Sequence, residues 1–544
     1  MKTETEYIKS KKIWRSPGLG IKYSSLGEAI FSKLNESNPD RVIEVNCDSG
    51  KELTVNEIRQ QTKTVARNFQ RFGVKVGDTV VVFSRSNTKI TPITFACFAL
   101  GAPVNFFETS FQDDVIRHNL ELLNPTLIIF EEEFRDTIQT CLEGLQLPKL
   151  KQSFSVDSHE LFEVQTDEED FQPIHIEDPS QHPATLIFTS GSTGMPKIVI
   201  LSHALMMQDL YNKWWPLDSN SIICGYCDLR WVVQIQMMMQ PVFFGAKRVY
   251  TSRAETGITV EEKRAIIDRF KITHFFEVPM FYLEILASAE QSKDPRSLSS
   301  LKIALVGGDV VTEALVDFSQ RVIPKCRVIK VYGMTEVAGA VCTSELSSKT
   351  ELNGGVLKNG FMVKIIDDKG YSLGPNEAGR LCLKSTVPLL GYLKNEKANK
   401  RAFLEDGWYD TGDCACMGSD NLLSIGTRYH DLVRSSETII VPSVVESIIN
   451  NHQCVQSSIL VGHSNSEKSK DHTGTLLKNQ NFSHKIEEEL RNLLQDELTN
   501  EQFDIIRYIR IISEIPLKSC GKADRKALKV LAEKLRKSNG IGSH

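Results

Sequence analysis

The chain lacks any apolar run long enough to cross a bilayer. Its most apolar long stretch, residues 90–107 (ITPITFACFALGAPVNFF), is interrupted by Pro92, Pro103 and Asn105. It reads as a core helix running into a strand, and no membrane span is expected. The opening MKTETEYIKSKKIW has no apolar core of the kind a secretory signal needs. The final GIGSH is not the Ser-Lys-Leu tripeptide of peroxisomal import. Positive charge is also short: 64 Lys and Arg stand against 69 Asp and Glu, a net charge of −5. That removes the electrostatic case for a nucleic-acid partner, which needs a basic face. The twelve cysteines are scattered. One pair, Cys224 and Cys227 in CGYC, has redox or zinc spacing, but no second pair completes a zinc site. Reduced thiols in an intracellular protein are expected, with cytoplasmic residence and a peroxisomal location as the alternative. No internal repeat is evident.

What is present is a sizeable core. Hydrophobic residues make up 41% of the 544 and charged residues 24%, which suits a globular protein of one large domain and one or more smaller ones. The most distinctive stretch is TSGSTGMPK, Thr189 to Lys197. The apolar run HPATLIF before it and IVILSH after it both read as strands. A Walker A loop must lead straight into a helix whose N-terminus faces the phosphates. This is instead strand, loop, strand. The hydroxyls of Thr189, Ser190, Ser192 and Thr193, the glycines Gly191 and Gly194, and freed backbone N–H groups suit a polyphosphate, with Lys197 adding a positive charge. A plain hairpin turn has the same composition, so the loop alone decides nothing.

Three further segments decide it. YGMTE follows the strand RVIKV at Tyr332–Glu336, GWYDTGD spans Gly407–Asp413, and SCGKADRK carries Lys522. Together with TSGSTGMPK, in this order and spacing, they resemble the adenylate-forming superfamily of acyl- and aryl-CoA ligases, nonribosomal-peptide adenylation domains and luciferases. The resemblance covers Ser25 to Ala532 and is strongest to 4-coumarate–CoA ligases, fatty acyl-CoA ligases and luciferase-like enzymes. It implies an α/β fold: a large N-terminal domain of α/β layers (residues 1–426) and a small C-terminal α+β lid (427–544), joined by a hinge at Gly426–Asp431. It also implies a reaction, the joining of a small-molecule carboxylic acid to the α-phosphate of ATP and transfer of the acyl group to CoA. Mg²⁺ would serve as cofactor.

The resemblance assigns roles residue by residue. The loop Thr189–Lys197 would hold the β- and γ-phosphates. Tyr332 would pack on adenine, beside Gly333, and Thr335 would hydrogen-bond the α-phosphate. Glu336 would hold Mg²⁺, a hard cation that takes oxygen ligands. Asp413 would take the ribose hydroxyls, supported by Arg428. Lys522 would bridge the substrate carboxylate and the α-phosphate. Gly307, Gly308 and Asp309 occupy the place of a Gly-Gly-Ala that lines the adenine and acyl pockets.

Several positions depart from the family pattern. Glu437 stands where relatives carry a glycine that lines the pantetheine tunnel. It adds bulk and charge and rarely adopts the left-handed backbone open to glycine. Thr427 and His430 replace common hinge residues, and the segment HSNSEKSKDH reads as a solvated loop. At the gate of the acyl pocket the sequence has Arg230 and Trp231. Arg230 could meet a substrate carboxylate or pair with a neighbouring acid, Asp309 being a candidate, and the two alternatives stay open. The run Met237–Met239 reads as a core helix, with a flexible apolar pocket as the alternative.

Overall fold

The computed structural model describes residues 5–20, 24–109, 111–163, 171–189, 195–253, 257–294, 296–346, 355–434, 439–440, 442–450, 452, 455, 457–463, 472–478, 484–504, 506–512, 515–516 and 524–538. Ser190–Gly194, Glu437, Lys522, the acidic run Thr166–Asp170 and most of the expected solvated loop lie outside them.

Two large sheets are built on short, continuously apolar strands. Val80–Phe83 (VVVF) and Leu127–Phe130 (LIIF) are fully buried neighbours in a six-stranded sheet. Such runs belong to parallel strands covered on both faces. That sheet ends on an antiparallel hairpin, Pro183–Thr189 with Lys197–Ser202, in which Thr189 opposes Lys197. The two strands expected on either side of the loop form and pair. A nine-stranded sheet runs from Val356–Leu357 through Gly339–Leu346, Arg327–Met334, Ile303–Gly307, His274–Glu277, Ile222–Gly225, Lys247–Tyr250 and Val42–Asn46 to Glu52–Thr54. Helices between these sheets fill the core. Ile90–Leu100 is buried at every position and stops at Gly101, whose φ of +60° ends the helix. Ser25 with Glu28 and Thr54 with Glu57 form capping boxes that start two of its neighbours. The Met-rich run falls in helix Val232–Phe244, where Met237, Met238 and Met239 are all buried, as a core helix requires.

A third, antiparallel sheet of six strands (Glu6–Ile8, Ile13–Arg15, Phe361–Ile366, Ala378–Ser385, Tyr409–Met417 and Leu423–Arg428) closes the large unit. Beyond it, Ser457–His463, His472–Lys478 and Ile506–Ile512 make a separate three-stranded sheet. Helices Pro442–Asn450 and His484–Glu497 pack there, through Val445, Ile449, Leu490 and Leu494. The final helix, Arg525–Ser538, buries Leu528 and Ala532 against Val461 and Ile512. Among the described residues no helix is long and apolar enough to cross a membrane.

The seam between the two units is short. Strand Leu423–Arg428 is followed by a single 3₁₀ turn, Tyr429–Asp431. The Tyr429 hydroxyl donates to Asp368 at 2.9 Å, on the side of the third sheet. Lys529 Nζ, on the final helix, donates to Asp431 at 3.0 Å.

Candidate functional site

Described residues of three segments singled out in the sequence, Lys197, Tyr332–Glu336 and Tyr409–Asp413, come together from the three large sheets. Strands Arg327–Met334 and Gly339–Leu346 form a hairpin whose register shifts after Tyr332. Its turn is the 3₁₀ segment Thr335–Val337, so Thr335 and Glu336 project from a hairpin tip. The two strands touch backbone to backbone there: a Cβ on Gly333 would stand 2.2 Å from the Gly339 carbonyl oxygen. Only glycine fits at 333.

One corner of the site joins Tyr332, Asp413 and Arg428. The Tyr332 hydroxyl donates to Asp413 Oδ2 at 2.6 Å, and Arg428 Nε lies 3.3 Å from Asp413 Oδ1. Arg428 also donates to the Thr411 carbonyl at 2.8 Å. Burial and the adjacent carboxylate push the Tyr332 phenol well up, so it stays a donor. An ionised Asp413 is an acceptor-only group, the chemistry that vicinal hydroxyls call for.

The other corner joins Glu336, Tyr392 and Lys197. The Tyr392 hydroxyl donates to Glu336 Oε1 at 2.7 Å and lies 3.2 Å from the Tyr409 hydroxyl. Lys197 Nζ stands 4.5 Å from the centre of the Tyr392 ring, a cation–π distance. Tyr392 is held there by its backbone. Ile200 donates to the Gly391 carbonyl and Leu393 to the Ile198 carbonyl, which adds residues 391–393 to the edge of the phosphate-loop hairpin. Asn399 then grips both the N–H and the carbonyl of Tyr392, at 2.8 and 2.9 Å. Burial pushes both tyrosine phenols up. A single carboxylate beside a lysine suits Mg²⁺ carried by a phosphate ligand, since Mg²⁺ takes one or two carboxylates and fills the rest of its shell with phosphate oxygens and water. No cluster of three acids, histidines or cysteines exists among the described residues to compete for a metal.

The wall beside the hairpin is made by Gly307 and Gly308 at the end of strand Ile303–Gly307. Gly308 has φ +89°, and a Cβ there would meet the Trp231 ring at 3.6 Å. Asp309 is exposed and accepts the N–H of Val310 at 2.8 Å. Arg230 pairs with Glu108 and, at 2.8 Å, with Asp228. These two are its neighbouring acids. With its two carboxylates only 12% and 9% exposed, this trio is an internal ion cluster. Cys224 and Cys227 carry thiols whose pKa is pushed up by burial, the opposite of a redox-active pair.

The structure therefore brings Thr189, Lys197, Tyr332, Gly333, Thr335, Glu336, Asp413 and Arg428 to one region, with Gly307, Gly308 and Trp231 forming the adjoining wall. Ser190, Gly191, Ser192, Thr193, Gly194 and Lys522 lie outside the described residues. Sequence reasoning passed over Tyr392 and Tyr409. Tyr409 sits inside GWYDTGD and could have been found there, whereas Tyr392, in LLGYLK, offered only a tyrosine after a glycine.

The chain is 26% identical over 437 residues to a 2-succinylbenzoate–CoA ligase of Bacillus licheniformis, covering 78% of this chain and 84% of that one. It is 22% identical over 505 residues to the peroxisomal OPC-8:0-CoA ligase 1 of Arabidopsis thaliana, covering 91% of each. The fold superposes on the anthranilate CoA ligase AuaEII in complex with anthranoyl-AMP, with a TM-score of 0.82 at 20% identity over 94% of this chain and 98% of that one. It superposes on ATP-bound MatB from Rhodopseudomonas palustris with a TM-score of 0.81 at 16% identity, over 94% and 99%. The family model described as AMP-binding enzyme matches residues 31–393, a span holding the phosphate-loop hairpin, the Thr335–Glu336 turn and Tyr392, and by that match the chain belongs to the AMP-binding enzyme family.

Proposed function

We propose that the protein is an ATP-dependent acid–CoA ligase acting on a fatty or aryl carboxylic acid. The acid's oxygen attacks the α-phosphorus of ATP and pyrophosphate leaves. The thiol of CoA then attacks the acyl carbon and AMP leaves. The observation that carries this reading is the pairing of far-separated motif residues into two corners, Tyr332–Asp413–Arg428 and Glu336–Tyr392–Lys197. The first suits a nucleoside with vicinal hydroxyls and the second a metal-bound polyphosphate.

In this reading Asp413 and Arg428 fix the ribose, Tyr332 flanks the base, Thr335 contacts the α-phosphate, and Lys197 with the loop 189–197 takes the terminal phosphates. Glu336 holds Mg²⁺, which when bound neutralises phosphate charge as the α-phosphorus is attacked. Lys522 aligns the two anions from a lid, residues 427–544, that moves relative to residues 1–426. Cytoplasmic residence is part of the proposal, and fractionation against a peroxisomal marker tests it.

The decisive assay supplies ATP, Mg²⁺ and a panel of aliphatic and aromatic acids, with and without CoA, and measures AMP, acyl-adenylate and acyl-CoA by mass spectrometry beside Lys522→Ala. Acyl-CoA formation that depends on Lys522 is expected. Neither product over a broad panel, with no rise in melting temperature on adding ATP, would make the protein a silent ligand-binding relative. The sequence favours one second reading, adenylation with poor thiol transfer, because Glu437 occupies a glycine position. Glu437→Gly then raises thioester formation and leaves adenylation unchanged.

A further inference from the structure

The hairpin turn that carries Thr335 and Glu336 ends on an unfavourable backbone. Ala338 caps it in the left-handed region, at φ +65°, where a Cβ crowds the following carbonyl oxygen. Gly339 follows at φ +152°. Two side chains from outside the hairpin hold this stretch. Asp209, on helix His203–Asn212, accepts the Ala340 N–H at 2.8 Å. Its carboxylate is fixed in turn by the Trp214 indole N–H, 3.0 Å from each oxygen. Gln236, on helix Val232–Phe244, donates from Nε2 to the Ala338 carbonyl at 3.3 Å and to the Met206 carbonyl at 3.2 Å.

The fit is tight and costly. A Cβ on Gly339 would stand 2.3 Å from Asp209 Oδ1. Asp209, Trp214 and Gln236 are all buried, and burial pushes the Asp209 carboxyl up to about 7. The Oε1 of Gln236 has no protein partner among the described residues. Burying such groups costs free energy unless they are hydrogen-bonded, and here the bonds run to Ala338 and Ala340. What they hold is the exit of the one turn that bears both Thr335 and Glu336.

We propose that Asp209 and Gln236 are positioning residues: gripping Ala338 and Ala340 from two helices, they set the orientation of the Thr335–Glu336 turn and thereby the affinity for Mg·ATP, without touching it. This rests on the reading of Thr335 and Glu336 given above. The test is Mg·ATP binding by titration calorimetry on the full chain, with ATP–pyrophosphate exchange and thermal unfolding measured in parallel. The variants are Asp209→Leu, Asp209→Asn and Gln236→Met. Asp209→Leu weakens Mg·ATP binding about tenfold, equivalent to about 1.4 kcal/mol, and raises KM for ATP while leaving KM for the acid unchanged. Asp209→Asn keeps an oxygen that can accept both N–H groups and restores affinity to within about threefold of wild type. Gln236→Met preserves volume and removes the second grip, so it reports on the inference if Asp209→Leu does not fold. Folded variants that bind Mg·ATP within about twofold of wild type, and differ only by melting lower, overturn the positioning role alone. Absence of Mg·ATP binding by the wild type overturns the site reading and this inference with it.

Discussion

Replacing Tyr392 by Phe removes one atom from the corner proposed to hold Mg²⁺, and little else. The lost hydroxyl donates to Glu336 Oε1 at 2.7 Å, and hydrogen bonds to charged groups are worth about 1.5–3 kcal/mol. The lower end applies, because Glu336 is only half-buried and the Tyr409 hydroxyl, 3.2 Å from that of Tyr392, stands close enough to take over part of the contact. About 1.4 kcal/mol is a tenfold change. The ring itself stays: Phe keeps the contact with Phe403, 6.0 Å between ring centres, and the face presented to Lys197. The expected result is an apparent Mg²⁺ requirement in ATP–pyrophosphate exchange raised about tenfold, with a urea midpoint lowered by no more than the roughly 1.5 kcal/mol that one such bond contributes. Because the Tyr392 phenol is pushed up, the effect is constant between pH 6 and 9 (a range well below about 10, the ordinary phenol value). Exchange within about twofold of wild type at every Mg²⁺ concentration would refute the argument that Tyr392 orients Glu336.

Three other outcomes follow from the geometry. Gly307→Ala puts a Cβ 2.4 Å from Val331 Cγ1 and 2.5 Å from the Val331 carbonyl oxygen; overpacking against backbone costs about 1–3 kcal/mol, read as a lower urea midpoint together with reduced exchange activity. Arg230→Leu strips the shared guanidinium from Glu108 and Asp228; losing one member of a buried ion cluster costs about 3 kcal/mol, and a variant as stable as wild type would show that the cluster contributes nothing. Glu277 is buried, and burial pushes its carboxyl from 4.5 to about 7. The unfolded chain therefore releases its proton first as pH rises, and stability falls between about pH 4.5 and 7, by up to about 3 kcal/mol at 1.4 kcal/mol per pH unit of displacement. Glu277→Gln abolishes that component, so its melting temperature declines less than that of wild type between pH 5 and 8, as scanning calorimetry measures.

Local features were legible in the sequence wherever a short-range rule governs them. The all-apolar Ile90–Leu100 helix, the hairpin flanking the phosphate loop and the strand running into YGMTE each follow from period and turn chemistry within a dozen residues. The roles of Asp413 and Arg428 came from motif order. Their actual partners did not, because the Tyr332–Asp413 bond joins two different sheets and nothing local encodes it. The same limit explains Arg230. Its partner Glu108, just beyond strand Val104–Phe106, stands far from it in the sequence, and no local rule links the two. Tyr392, Asp209 and Gln236 stand between motifs and act through single contacts that only the folded chain creates.

The two anchors at the seam have a mechanical consequence. Tyr429 is tethered to Asp368 on one body and Asp431 to Lys529 on the other, so His430 is the one residue between the two tethers. The axle is then one residue wide, and its side chain, 66% exposed, rubs against little. Arg428, two positions earlier, stays clasped to Asp413 while the axle turns. A proline at 430 would lock φ there and so narrow the range of angles the proposed lid could sample, while leaving the Tyr332–Asp413–Arg428 corner assembled.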